Sequence, residues 1–214
     1  YTMQQAVDDE ITVALKYIPR IAKVTLDSEK VKEIDAYYKK CAEEGATEDD
    51  VVASKKAMSA MEVILADDER LERLAKDIID HYTNACENNA DVVQKAMIVC
   101  ADRKLAFTVY KNLLKYRPDW GVARRCEDES KLDKHELEKL KELPKLNIVA
   151  TRDKDDEKEL YDLLGTKEHR QMLDEQFKNN NSNFQIVIVV DMWITGFDVP
   201  SLAVMYIDKP LQKH

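Results

Sequence analysis

The sequence predicts an α/β protein with a mostly parallel sheet and flanking helices, preceded by a mainly helical region. Three observations predict it. Ile186 to Val190 is an unbroken β-branched run, the pattern of a strand buried on both faces of a parallel sheet. From residue 96 onward short apolar runs alternate with amphipathic stretches, the strand–helix order of a doubly wound sheet. Over roughly the first 90 residues the apolar spacing is mainly three to four, as in helices.

In chain order, Ile11, Val13, Leu15 and Tyr17 alternate with polar or small residues and predict a short strand that Pro19 limits. Ser28 can cap a helix with Val31, Ile34, Tyr38 and Cys41 on one face, ending near Gly45. Thr47 and Asp50 open a second helix through Val51, Met58, Met61 and Ile64 or Leu65, a methionine stripe that reads as core. A third follows Asp67-Asp68, with Leu71, Leu74, Ile78 and Tyr82 along one side. Residues 96–101 form a strand, and Asp102 can cap the helix whose core side is Ala106, Val109, Tyr110, Leu113 and Leu114. The charge-rich stretch 121–145 reads as a solvated helical insertion. Residues 147–150 are a strand, followed by helices carrying Leu160, Leu163 and Leu164, then Met172, Leu173 and Phe177. After a turn at 179–183 come the strand 186–190 and a last strand at 203–207.

Composition narrows the function classes. The formal net charge is −9, but it is unevenly spread: residues 1–95 carry 13 basic and 21 acidic side chains, residues 96–214 carry 20 and 21. The second half is thus free to form local basic patches, and overall charge neither supports nor excludes DNA. No apolar run reaches the roughly 18 residues of a membrane span. The first residues, Tyr1-Thr-Met-Gln-Gln, do not resemble a secretory signal and suggest a piece of a longer chain. Cys41, Cys86, Cys100 and Cys126 are widely separated, which argues against a zinc site and for a reducing, cytoplasmic setting. The four histidines also lack ligand spacing, so no metal site is expected.

The glycines stand at 45, 121, 165 and 196, too far apart for a phosphate-binding P-loop or a dinucleotide-binding glycine turn. Pro118-Asp119 with Glu129-Ser-Lys131 spells the pattern of metal-dependent nucleases, but the stretch between is almost wholly polar, with no strand to make carboxylates and lysine converge. One stretch remains: Asp191-Met-Trp-Ile-Thr-Gly-Phe-Asp-Val-Pro, just beyond the carboxyl end of the innermost strand, where open α/β sheets bind ligands. From spacing alone it reads as a turn in which Gly196 takes a positive φ and Asp198 caps.

That stretch, with Met205-Tyr-Ile-Asp-Lys-Pro, closely resembles helicase motif V in the motor subunit of type I restriction enzymes. Lys95-Ala-Met-Ile-Val-Cys-Ala-Asp-Arg-Lys-Leu-Ala resembles the same family's motif IV, and Tyr110 and Arg117-Pro-Asp-Trp are also similar. The resemblance implies that residues 91–214 are the second RecA-like domain of a superfamily 2 motor, without motif VI, and that residues 1–90 are a helical connector with a short N-terminal strand. It implies that Thr195 and Gly196 contact a DNA phosphate, that Gly196 faces the nucleotide, that Asp198 reaches the nucleotide ribose or the facing motor domain, and that Asp191 orients the loop. Asp102 and Arg103 are either backbone contacts to nucleic acid or a simple helix cap with an exposed arginine. Thr151 and Arg152 are further phosphate-contact candidates. ATP and Mg2+ would serve the whole enzyme, with no catalytic residue in this stretch and neither cofactor held by it alone. The implied partners are double-stranded DNA, the first RecA-like domain, and the specificity and methylation subunits. The alternatives are a superfamily 2 helicase outside restriction and a non-catalytic subunit-docking module.

Overall fold

A computed structural model describes residues 63–88, 93–193 and 197–209, with isolated positions before residue 20. The strand expected at 11–17, the helix expected at 28–45 and most of the one from 47 lie outside the described residues. Those described form helix α1 (Asp68–Asn88), strand β1 (Lys95–Cys100), α2 (Arg103–Tyr116), two 3-10 turns (Pro118–Gly121 and Glu129–Lys131), α3 (Lys134–Lys139), β2 (Leu146–Val149), α4 (Lys158–Leu164), α5 (Lys167–Lys178), β3 (Ile186–Val189) and β4 (Leu202–Asp208).

The four strands make one sheet in the order β2-β3-β1-β4, every neighbouring pair parallel. It is an α/β fold of the RecA-like kind, with helices on both faces. Alternation sends Ala96, Ile98 and Cys100 of β1, with Ile186 and Ile188 of β3, into one core shared with α1, α2 and α4. Met97, Val99, Val187 and Val189 point the other way, onto Leu173 and Phe177 of α5. β1 and β3 are therefore buried on both sides, which is why, after the buried Lys95, their sequences are apolar at every position rather than at every second one.

Helix starts follow local chemistry. The Asp67 carboxylate accepts from the Arg70 amide at 2.8 Å at the start of α1, and Asp102 caps α2 by accepting from Leu105 N at 2.9 Å. Leu71, Ala75, Ile78 and Tyr82 of α1 enter the sheet's core. Two polar links fasten α1 to β4. Arg70 forks onto Asp208, both side chains under a tenth exposed, and His81 Nδ1 lies 2.7 Å from the Tyr206 hydroxyl. Gly165, at φ 61° and ψ −161°, turns the chain between α4 and α5. That region is essentially closed to other residues.

The stretch 121–145 differs from expectation. Its only α-helix among the described residues is the six-residue α3, and the remainder is irregular apart from the 3-10 turn Glu129–Lys131 and an antiparallel bridge between Arg124 and Leu143. Side-chain amides stitch it to the body instead. Gln176 accepts from Lys141 N and donates to Lys139 O, both at 3.0 Å, while Asn183 donates to Leu143 O at 2.7 Å. Asp119 and Glu129 sit in the two 3-10 turns, not on strands, and Asp119 is paired with Arg117.

Candidate functional site

Because all four strands run the same way, their carboxyl ends open on one edge. The registers Val149↔Val189, Val99↔Val189 and Cys100↔Asp208 bring the strands level there. The loops beginning at Thr151, Asp191, Asp102 and Lys209 thus emerge side by side, in the sheet's own order.

Asp102 is exposed and spends a carboxylate oxygen on the α2 cap. Arg103 is not a free cation: its Nε donates to Asp156 at 2.8 Å and its terminal nitrogen lies 3.7 Å from Asp153. The hydrogen bond to Asp156 holds the guanidinium protonated even more firmly than usual. Burial pushes the Asp156 carboxyl up, but the Asp153 amide and Arg103 outweigh it, so it stays below the usual carboxylate range. Thr151 is exposed, its hydroxyl 4.0 Å from the Met192 sulfur, and Arg152 lies over the Tyr161 ring at 4.4 Å.

The loop after β3 is shaped by backbone conformation and aromatic packing. Asp191 (φ 50°) and Trp193 (φ 62°) are both in the left-handed region. Aspartate tolerates it, whereas tryptophan does so at a cost of about 1–3 kcal/mol. The packing around Trp193 offsets that cost: its ring stacks on Phe197 at 4.2 Å and 12°, and both approach Phe177 of α5. Asp191 accepts from Lys209 Nζ at 2.7 Å, tying this loop to the end of β4 across the end of β1. Asp198 is exposed, and Val199 next to it is buried. Thr195 and Gly196 lie outside the described residues, so the positive φ expected at Gly196 is not observed directly.

The structure thus brings Asp102, Arg103, Thr151, Arg152 and Asp191 to one edge of the sheet. Lys209, Asp156, Trp193 and Phe197 were not picked out by sequence reasoning. For the first two no local signal exists, because strand order creates their contacts. The aromatic pair was visible as a four-residue spacing around Ile194-Thr-Gly, but that spacing alone implies no stacking.

Residues 95–214 match the family model described as type I restriction enzyme subunit R domain 3. The chain belongs to that family. The whole chain is 31% identical to the Haemophilus influenzae type I restriction enzyme HindI endonuclease subunit and covers 18% of it. It is 29% and 30% identical to two Methanocaldococcus jannaschii endonuclease subunits provisionally named MjaIXP and MjaVIIP, covering 18% and 20% of them. The chain therefore spans about a fifth of the length of these relatives. No solved structure matches it. In this R-subunit chain the family match starts at Lys95, yet α1, upstream of it, closes one face of the same core. No described helix is long and apolar enough to cross a membrane, and no described group of three His, Cys, Asp or Glu could hold a metal ion.

Proposed function

We propose that the chain is part of the ATP-dependent DNA translocase of a type I restriction endonuclease subunit, its sheet edge gripping DNA phosphates while facing a nucleotide held mainly by another domain. One observation carries this reading: in an R-subunit chain without a P-loop, Asp102, Arg103 and Asp191, taken from the motif resemblance, lie at the carboxyl edge of a parallel RecA-like sheet. Phosphate contacts suit a motor because they carry no sequence information and recur at every step. Target choice then falls to the specificity and methylation subunits.

A nucleoside triphosphate needs an amide cradle and a cation as well as a ribose contact. Asp198, exposed, suits a ribose hydroxyl, but the well-separated glycines give no cradle, and Lys209 is engaged by Asp191. This lobe therefore completes a nucleotide cleft rather than forming one, and the chain alone is not expected to hydrolyse ATP. ATP and Mg2+, when bound between two such lobes, supply the free energy for closing and reopening the cleft.

The test is Asp198→Ala in the whole endonuclease subunit. The expected result is loss of DNA-stimulated ATPase with an unchanged melting temperature; wild-type rates would remove Asp198 from the cleft. A docking module is the second reading, favoured by Met205 and Ile207, 41% and 44% exposed on β4. Steeply salt-dependent DNA binding separates a phosphate grip from a docking surface.

A further inference from the structure

Beyond the carboxyl end of β2 a depression of about 360 Å3 is lined by Lys154, Asp156, Lys158 and Tyr161. Its composition is unusual for its surroundings. Five carboxylates lie between residues 153 and 159, yet among the described residues no ion pair engages Arg152, Lys154 or Lys158. Asp153 and Asp156 are instead turned onto Arg103, with Asp156 Oδ2 also accepting from the Asp153 amide at 2.6 Å. The one carboxylate lining the depression, Asp156, is thus paired with an arginine outside it, while Asp155, Glu157 and Glu159 stay exposed beside it. The aromatic wall does the opposite for a cation: Tyr161 holds the Arg152 guanidinium against its face at 4.4 Å. Two unpaired ammonium groups and a held guanidinium are left beside a concave surface on the edge where the DNA-contact candidates emerge.

We propose that this depression is a phosphodiester-binding site, in which Lys154 and Lys158 each neutralise a DNA backbone phosphate and Tyr161 positions Arg152 at its rim. The proposal rests on the reading of this edge as a DNA grip and adds Lys154, Lys158 and Tyr161 to the residues that the motif resemblance named. Lysine suits the role because a mobile point charge can follow a phosphate without fixing its geometry.

The experiment measures anisotropy of a fluorescein-labelled 20-base-pair duplex against KCl concentration for the 214-residue chain and for Lys154→Gln/Lys158→Gln. Each phosphate contact contributes about 0.9 to the log–log salt slope, so the double variant should lose about 2 from it. Lys139→Gln/Lys141→Gln, before β2 at the opposite edge, should leave the slope unchanged. Wild-type binding with an unaltered slope in the first variant overturns the site but leaves the DNA grip standing. Equal losses in both variants reduce it to general charge and overturn it. No salt-dependent binding by the wild-type chain overturns both readings. A parallel titration with fluorescent ATP tests the other phosphate source: loss of nucleotide binding with the DNA slope intact would make this a nucleotide site and overturn the assignment.

Discussion

Replacing Arg70 by leucine tests how α1 is held to the sheet. Arg70 and Asp208 stand 138 residues apart, both nearly buried, and Arg70 also donates to Leu65 O at 3.1 Å. Burial pushes the Asp208 carboxyl above its ordinary range even with Arg70 pulling it back. Without the guanidinium, the carboxylate must either stay charged in a poor solvent or take up a proton. Breaking a buried pair typically costs about 3–5 kcal/mol. Protonation sets a ceiling: pH 7 is about three units above the usual aspartate value of ~3.9, at ~1.4 kcal/mol per unit, so the charge term cannot exceed about 4 kcal/mol. The expected loss is therefore about 3–4 kcal/mol at pH 7. Since Asp208 is then protonated in the folded state and ionised in the unfolded one, stability should recover on acidification, leaving a loss of about 1.5 kcal/mol at pH 5. Urea unfolding followed by far-UV circular dichroism at both pH values measures this. Arg70→Leu/Asp208→Leu, which removes both charges, should restore most of the loss. A loss below 1 kcal/mol at pH 7, or one independent of pH, would refute the reasoning.

Two further substitutions probe the core beneath the site. Lys95 is fully buried, donating to Phe177 O and, at 2.8 Å, to Asn179 O at the end of α5, and burial pushes its ammonium down to about 8. The unfolded lysine, titrating near 10.4, binds more protons between pH 8 and 10, so this group's contribution to stability should rise with pH across that window. Lys95→Met should lack the rise, and parallel pH profiles in urea unfolding would show the assignment wrong. Phe177→Ala should cost about 3–5 kcal/mol and release Trp193, red-shifting tryptophan fluorescence while Trp120 stays buried. An unchanged emission maximum would show that the loop does not depend on this ring.

Much of the fold was legible because it is written over short spans. The β-branched run gave β3 to within a residue, Asp102 marked the start of α2, and Leu71, Ile78 and Tyr82 marked the buried side of α1. The insertion at 121–145 misled because a charge run looks helical in isolation, whereas Gln176 and Asn183, outside the run, hold it in irregular form. The site was legible as a set of loops but not as a set of partners. Arg103 read as an exposed cation because Asp156, 53 positions on, is not a sequence neighbour.

Among the described residues, the sequence by itself determined the four strands, the apolar faces of α1 and α2 and the start of α2, and its glycine spacing leaves no phosphate loop, since each depends on residue spacing over a turn or two. Only the tertiary structure decided that β1 sits between β3 and β4. From that order follow the Asp191–Lys209 tie, the burial of Arg70 against Asp208, and the pairing of Asp153 and Asp156 with Arg103 beside the depression. These are contacts between segments 18 to 138 residues apart. Local periodicity carries no information about such pairs; the packing of both sheet faces selects them.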